Sequence, residues 1–144
     1  MIVSEILQLK GGTLFTATPE TPLKAAIDAM AEKDIGSLVV MSQGRMVGML
    51  TFREVLRALH KKKGSIQGVR VDEIMVRNPR TIAPNVEVDE LRSVMLEHHI
   101  RYMPVMEGDT LIGVLSFHDV ARAVLEEQAF ENRMLKGYIK DSPT

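Results

Sequence analysis

The stretch GVLSFHD, from Gly113 to Asp119, decides the fold, because a second copy, GMLTFRE, runs from Gly48 to Glu54. In each copy an apolar strand leads into a hydroxyl residue, and a carboxylate follows three positions later. That order is typical of a strand that turns directly into the first turn of a helix. Such a turn brings together a hydroxyl, free backbone N–H groups and an acid. The same groups serve to start a helix and to hold a sugar phosphate.

The repeat extends well beyond these two stretches and contains no gaps. At an offset of 65, twelve positions between 16 and 57 are identical to positions between 81 and 122. Internal repetition of this strength sets the architecture. A unit of about 60 residues buries too little surface to be stable alone. We therefore expect the two copies to pack together around a pseudo-two-fold axis as one module.

The apolar pattern predicts the same order of elements in each copy. In the first copy we expect a helix with Thr21 as its N-cap and a hairpin of strands over 38–41 and 46–50. In the second copy the corresponding helix, two strands and final helix are predicted over 86–98, 102–106, 111–115 and 117–128. The fold class is therefore α+β, with two gapless β-α-β-β-α repeats packed sheet to sheet.

Three regions follow from this pattern. Residues 1–65 hold the first repeat with its lead-in and linker, 66–128 the second repeat, and 129–144 a C-terminal helical extension. The extension carries Phe130 and Met134 on one helical stripe, which Tyr138 continues. This stripe predicts either docking onto the module or a dimer partner, or packing of the helix on its own subunit, and both alternatives stay open.

Composition excludes several classes of function. The chain of 144 residues has a net charge of −1, which gives no electrostatic case for binding nucleic acid or an anionic membrane. It has no cysteine, so disulfides and thiolate chemistry are excluded and a cytoplasmic setting is expected. No apolar run approaches the roughly 18–20 residues needed to cross a bilayer. His98 and His99 are adjacent and point apart on a helix, so no metal site is expected. No nucleophile–base pair suggests catalysis.

The element order, the segment Arg101–Val105 (RYMPV) and the Gly-x-x-Ser/Thr-x-x-Asp/Glu ending together resemble a tandem pair of CBS (cystathionine-β-synthase) domains, over about residues 3–128. The resemblance implies a non-catalytic module that binds AMP, or else ADP, ATP, NAD or S-adenosylmethionine, in clefts between the repeats. It also implies a cytoplasmic sensor that forms a homodimer and acts on a regulated protein, which the sequence does not identify.

The resemblance assigns a second site around Ser116 and Asp119. Asp119 would accept hydrogen bonds from the ribose hydroxyls, and Ser116 would donate to a phosphate oxygen. Arg101 and His118 are placed to meet phosphate, although an exposed Arg or a His satisfied within the protein would look the same in sequence. The slot for adenine is expected to be formed by Thr81, Ile82, Ala83, Tyr102, Met103 and Pro104.

A first site is expected at the equivalent positions. Its polar residues are Thr51, Arg53 and Glu54, and its walls are expected to be formed by Thr16, Thr18, Ser37 and Leu38. Glu54 departs from the family's usual Asp, which puts its ribose contact in doubt. Both motifs also fit a capping box, in which hydroxyl and acid only satisfy backbone groups at the helix start. For Ser116 and Asp119 the ligand-binding interpretation is favoured, because Asp reaches back to the cap less easily than Glu does.

Overall fold

The computed structural model describes residues 1–12 and 14–141, with side chains to residue 137. Its elements follow the predicted order in both halves. They are α1 (Val3–Lys10), β1 (Thr16–Ala17), α2 (Leu23–Lys33), β2 (Ser37–Ser42), β3 (Arg45–Thr51), α3 (Phe52–Lys61), α4 (Val71–Ile74), β4 (Val76–Arg77), α5 (Val88–Glu97), β5 (Tyr102–Glu107), β6 (Thr110–Ser116) and α6 (Phe117–Asp141). The α+β class and the two repeats are confirmed.

The two hairpins are copies of one another down to their irregularities. β2 pairs antiparallel with β3, and β5 pairs antiparallel with β6. Each hairpin shifts register at one point, between Val40 and Met41 in the first and between Val105 and Met106 in the second. β1 adds a parallel strand beside β2, and the second repeat has only a single bridge, from Ile82 to Val105, at that place.

Helix α2 begins one residue later than a Thr21 cap requires. Its N-cap is Pro22, which has an extended backbone with ψ of 137° and whose side chain accepts no cap hydrogen bond. The Thr21 hydroxyl oxygen instead accepts from the backbone N–H of Thr18 at 2.9 Å. The prediction of Thr21 as N-cap is therefore wrong, because its hydroxyl is used in the turn before the helix.

The segment that precedes each repeat packs on the opposite repeat. Val3 and Ile6 of α1 are buried in the core of the second repeat, with Leu91, Met103 and Leu115. In the reverse direction, Val69, Val71 and Met75 are buried in the core of the first repeat. β4 then pairs with β3, which completes a four-stranded sheet in the first repeat. Each core is thus completed by a segment that lies, in the sequence, directly before the other repeat.

The two sheets face one another across a small third cluster. Val39 and Met49 from the first sheet meet Val114 from the second, and all three side chains are buried. Tyr102 and Leu111 pack at the margin of this cluster. The shared sheet interface is therefore much smaller than the core of either repeat, and clefts are left beside it.

Helix α6 continues well past the repeat, from Phe117 to Asp141. Phe130, Met134 and Leu135 remain 57–61% exposed on it. Packing of these three residues on their own subunit is therefore not observed. The predicted contact of Tyr138, and residues 142–144 of the extension, lie outside the part of the chain whose side chains are described. Within the described residues, no helix has both the length and the apolar character needed to span a membrane.

Candidate functional site: the cleft at Ser116 and Asp119

The second motif forms a reciprocal cap where β6 turns into α6. The backbone N–H of Ser116 donates to Asp119 Oδ2 at 2.8 Å. The backbone N–H of Asp119 donates to Ser116 Oγ at 3.0 Å. The two side chains thus satisfy backbone groups that a helix start would otherwise leave free. The capping-box interpretation is correct in structure, and it fixes the Asp119 carboxylate in position.

The first motif closes on itself more completely. Glu54 Oε1 accepts from both the backbone N–H of Thr51, at 2.8 Å, and its hydroxyl, at 2.7 Å. The Thr51 hydroxyl oxygen accepts from the backbone N–H of Arg53 at 3.2 Å. The longer side chain of Glu54 therefore folds back on Thr51, which uses the hydroxyl proton within the motif.

Lys10, at the end of α1, contacts Asp119, and the sequence did not place it at this site. Its Nζ lies 2.9 Å from Asp119 Oδ2 and donates to the carbonyl oxygen of Val114 at 2.6 Å. The repeat hid this contact, because the equivalent of Lys10 in the second copy is Met75. The available signal was a lysine at the end of an amphipathic segment, directly before Gly11 and Gly12.

These contacts set the ionisation of the site. Partial burial works against the charged form of Asp119, but the hydrogen bonds from Lys10 and Ser116 outweigh it, so the pKa of Asp119 is lowered from 3.8. Burial raises the pKa of the Tyr102 phenol above 10.0, Arg101 opposes this rise, and the charge of Asp119 adds to it. The site therefore offers an ionised carboxylate beside a neutral phenol at ordinary pH.

Asp119 opens onto a cleft of about 720 Å³ between the two repeats, which we call the Asp119 cleft. That volume is in the range of pockets that hold small ligands. The second repeat contributes Tyr102, Ser116, His118 and Asp119 to its walls. Lys10, Gly11 and Gly12 line one edge. The wall supplied by the first repeat includes Leu14, Phe15, Ile35, Gly36, Ser37 and Val39.

Most of the residues predicted to form the second adenine slot do not line the Asp119 cleft. Of the six residues assigned to the second slot, the structure brings only Tyr102 to the Asp119 cleft. Met103 is fully buried in the core, and Ile82 is bonded to β5 on the far side of that strand pair. Thr81 and Ala83 are exposed, and Pro104 is buried; none of them lines this cleft. The wall opposite Asp119 is supplied by the first repeat, because the two repeats face one another across the cleft.

The residues assigned to the first slot are also divided. Ser37 lines the Asp119 cleft, as described above, and so joins the second motif. Leu38 is 2% exposed and belongs to the core of the first repeat. Thr16 is exposed on β1, and the Thr18 hydroxyl lies 2.9 Å from that of Thr21. The structure does not bring these last three to Asp119.

The two cation candidates beside the second motif occupy different positions. His118 is exposed and lines both the Asp119 cleft and a neighbouring hollow of about 600 Å³. Arg101 lines the neighbouring hollow and not the Asp119 cleft, and its guanidinium lies 5.2 Å from the centre of the Phe52 ring. Arg101 is thus held over an aromatic face of the first repeat instead of facing Asp119.

The region equivalent to the Asp119 cleft, beside Glu54, is bordered by larger side chains. The offset of 65 replaces Gly36 by Arg101 and Ser37 by Tyr102. The Tyr102 ring packs edge to face on Phe52 at 6.3 Å between ring centres. Gly11 and Gly12 likewise become Val76 and Arg77. Four small residues of the Asp119 cleft, Gly11, Gly12, Gly36 and Ser37, therefore correspond to bulkier residues around Glu54.

The CBS-domain family model matches this chain twice, over residues 12–61 and 71–126. The chain belongs to the CBS-domain family. The two matched segments coincide with the two repeats of the structure, so the resemblance seen in sequence is confirmed.

Comparison with individual proteins supports the same assignment. The chain is 29% identical over 147 residues to the mitochondrial CBS domain-containing protein CBSX3 of Arabidopsis thaliana, covering 96% of this chain and 71% of the relative. A signal-transduction protein with CBS domains from Burkholderia ambifaria superposes with a TM-score of 0.82 and 34% identity, covering 89% of this chain and 96% of that one.

Two more distant structures contain ligands. CBSX2 in complex with AMP has a TM-score of 0.73 and 24% identity, covering 88% of this chain and 98% of that one. The CBS domain pair of protein MJ0100, in complex with 5′-methylthioadenosine and S-adenosylmethionine, has a TM-score of 0.76 and 23% identity with the same coverage. At this identity, both comparisons establish the shared fold.

Proposed function

We propose that this protein is a non-catalytic regulatory module that binds an adenosine-containing ligand, with AMP as the preferred member, in the Asp119 cleft. The observation that carries this proposal is the fixed, ionised carboxylate of Asp119 at the mouth of an inter-repeat cleft. ADP, ATP, NAD and S-adenosylmethionine share the adenosine group and are the other candidates. The adenosine ligands of the two distant CBS pairs support the same class.

Each part of the cleft has chemistry suited to such a ligand. An ionised carboxylate has two oxygens that accept hydrogen bonds, which matches the two neighbouring hydroxyls of a ribose. Phe15, Ile35 and Val39 supply an apolar wall against which a purine ring can pack. Ser37 leaves room on that wall because its side chain is short, whereas the space beside Gly36 is filled by the phenol of Tyr102.

Signalling would follow from the position of the cleft between the repeats. A ligand that contacts both repeats favours the angle at which both sets of contacts form. The sheet interface between the repeats is small, with buried side chains from Val39, Met49 and Val114. We propose that a regulated protein, not yet identified, responds to the resulting change.

We further propose that the module acts as a homodimer. Helix α6 exposes Leu125, Phe130, Met134 and Leu135, each at 57–65% of its surface. A second copy would cover such side chains at low cost, since their burial is favourable. A cytoplasmic location stays a prediction of the sequence.

A second candidate function is a scaffold whose motifs are only helix caps. The reciprocal hydrogen bonds within both motifs favour it, because those bonds explain the residue spacing without a ligand. The two proposals differ in one measurable respect, which is whether Asp119 contributes to binding or only to stability.

Thermal shift and calorimetric titration with AMP, ADP, ATP, NAD and S-adenosylmethionine separate these proposals. A ligand at about 100 times its Kd adds roughly 2.7 kcal/mol of stability, which raises Tm by several degrees. We expect Asp119→Ala to weaken binding by about tenfold or more. We expect the matched variant Glu54→Ala to retain binding. Circular dichroism checks that both variants fold.

The thermal shift and the comparison of the two variants each decide between the two proposed functions. If no compound in the panel raises Tm, the scaffold function stands and the sensor function fails. Equal loss of binding in the two variants would contradict the assignment of the ligand to the Asp119 cleft.

A further inference from the structure

The Lys10 ammonium is ion-paired with the Asp119 carboxylate to which the ribose is proposed to bind. The ammonium lies 2.9 Å from Asp119 Oδ2 and is steadied by the carbonyl of Val114 at 2.6 Å. The Lys10 side chain is 37% exposed and that of Asp119 is 21% exposed, so the pair lies at the wall of the cleft and not in open solvent. A ribose that bonds to both carboxylate oxygens, with one hydroxyl on each, must therefore compete with Lys10 at Oδ2.

The cost of that competition depends on what else the ligand carries. A neutral nucleoside that bonds to Asp119 leaves a partly desolvated ammonium without its counter-ion, which is unfavourable. A nucleotide brings an anion of its own, so Lys10 exchanges one anionic partner for another. Charge-assisted bonds to phosphate oxygens are among the stronger hydrogen bonds in proteins.

The distances allow this exchange. A ribose hydroxyl bonded to Asp119 at about 2.7 Å lies within about 6 Å of Lys10 Nζ. The 5′-phosphate belongs to the same ribose unit, and the flexible lysine side chain spans the remaining gap by small rotations. The cleft is also lined by Asp34, so without Lys10 its carboxylates would repel a phosphate.

We propose that Lys10 makes the Asp119 cleft selective for phosphorylated ligands, by releasing Asp119 to the ribose and pairing with the phosphate. This inference rests on the proposed function, and it deepens it by naming the ligand class. It favours AMP, ADP, ATP and NAD over adenosine, which carries no anionic group to pair with Lys10. It also assigns a specificity role to a helix that precedes the first repeat in sequence.

Calorimetric titration of AMP and adenosine against the wild type and Lys10→Met tests the proposal. Met is the residue that the second copy carries at this position, as Met75, so it suits the local structure. We expect the wild type to bind AMP at least about tenfold more tightly than adenosine. In Lys10→Met we expect AMP affinity to fall by about tenfold or more, while adenosine affinity should not fall, because no lysine then competes with the ribose for Asp119.

Two further variants serve as controls. Lys10→Arg keeps the charge and should keep most of the preference for AMP. Lys24→Met removes a charge from an exposed position of α2 outside the cleft and should change neither affinity. An equal change in AMP and adenosine affinity, or no change in either, would overturn the selectivity role of Lys10 but leave the proposed function standing. Failure of the wild type to bind either compound would overturn the proposed function and this inference together.

Discussion

The Asp119 carboxylate contributes to both stability and recognition, because the same oxygen serves the helix cap and the ion pair. Asp119 Oδ2 accepts from the Ser116 backbone and from Lys10. A protonated carboxyl group would make these bonds poorly, so folding favours its ionised form. The lowered pKa of Asp119 reflects this preference, because the folded protein binds the proton of Asp119 more weakly than the unfolded chain does.

The stability of the protein should therefore depend on the ionisation of Asp119 in acid. Because the folded pKa lies below 3.8, the contribution of Asp119 is complete above about pH 3.8 and is lost as the pH falls through the folded pKa. We expect Asp119→Asn to lower the free energy of unfolding by about 1 kcal/mol at pH 7. That difference should shrink below pH 3.8, as measured by urea denaturation from pH 3 to pH 7.

Lys10→Met provides the control for this titration. In its background, one of the two donors to Asp119 Oδ2 is gone, so the cost of Asp119→Asn at pH 7 should be smaller. A cost that stays constant from pH 7 to pH 3 would contradict the assignment of the stabilisation to the ionised carboxylate.

At the scale of elements, two glycines allow the exchanged segments to pack against the sheets. Gly48 and Gly113 are equivalent positions on β3 and β6. A Cβ at Gly113 would lie 2.7 Å from Leu7 Cδ2 of α1. A Cβ at Gly48 would lie 2.7 Å from the backbone carbonyl oxygen of Val76. Each glycine therefore faces the segment that arrives from before the opposite repeat.

The chemistry of the two contacts predicts different costs for an added methyl group. Gly48→Ala presses on backbone that is paired in the sheet, so we expect a loss of about 2–3 kcal/mol. Gly113→Ala presses on the end of a flexible leucine side chain, so we expect about 1 kcal/mol. Urea denaturation measures both losses. In a Leu7→Ala background the cost of Gly113→Ala should fall further, and equal costs for the two alanines would argue against this packing.

The elements themselves were largely predictable from the sequence. The predicted strands over 38–41 and 102–106 differ from β2 and β5 by a residue at most at each end, because short apolar runs between turn residues admit few alternatives. The exchange of segments was not predictable. A repeat shows which positions are equivalent, but equivalence is the same whether a segment packs on its own copy or on the other one.

The candidate site was predictable in its motif and not in its walls. Ser116 and Asp119 follow from spacing that acts within one turn of chain. Ser37 lies in the same cleft only because the first repeat packs opposite the second, and no local sequence pattern indicates that packing. Lys10 was hidden for a further reason, since the repeat offers Met75 at its equivalent position and gives no hint of a charge.

At the scale of the whole molecule, the exchange of segments makes the two repeats one folding unit. The core of the first repeat includes Val69, Val71 and Met75, which lie beyond its own final helix. Each such buried side chain contributes roughly 1.5–3 kcal/mol. Three of them approach the roughly 5–15 kcal/mol that stabilises an ordinary domain. Neither repeat has a complete core within its own stretch of chain.

This interdependence is tested by cutting the connection between the repeats. Gly64 lies in an exposed turn with a φ of 86°, and a protease site inserted there leaves both cores intact. We expect the cleaved halves to stay together in size-exclusion chromatography and to unfold in one transition. Expressed separately, residues 1–64 and 65–144 should each lack stable tertiary structure by near-ultraviolet circular dichroism or amide exchange, and mixing should restore it. Halves that separate after cleavage and still unfold cooperatively would show that each repeat is an independent domain.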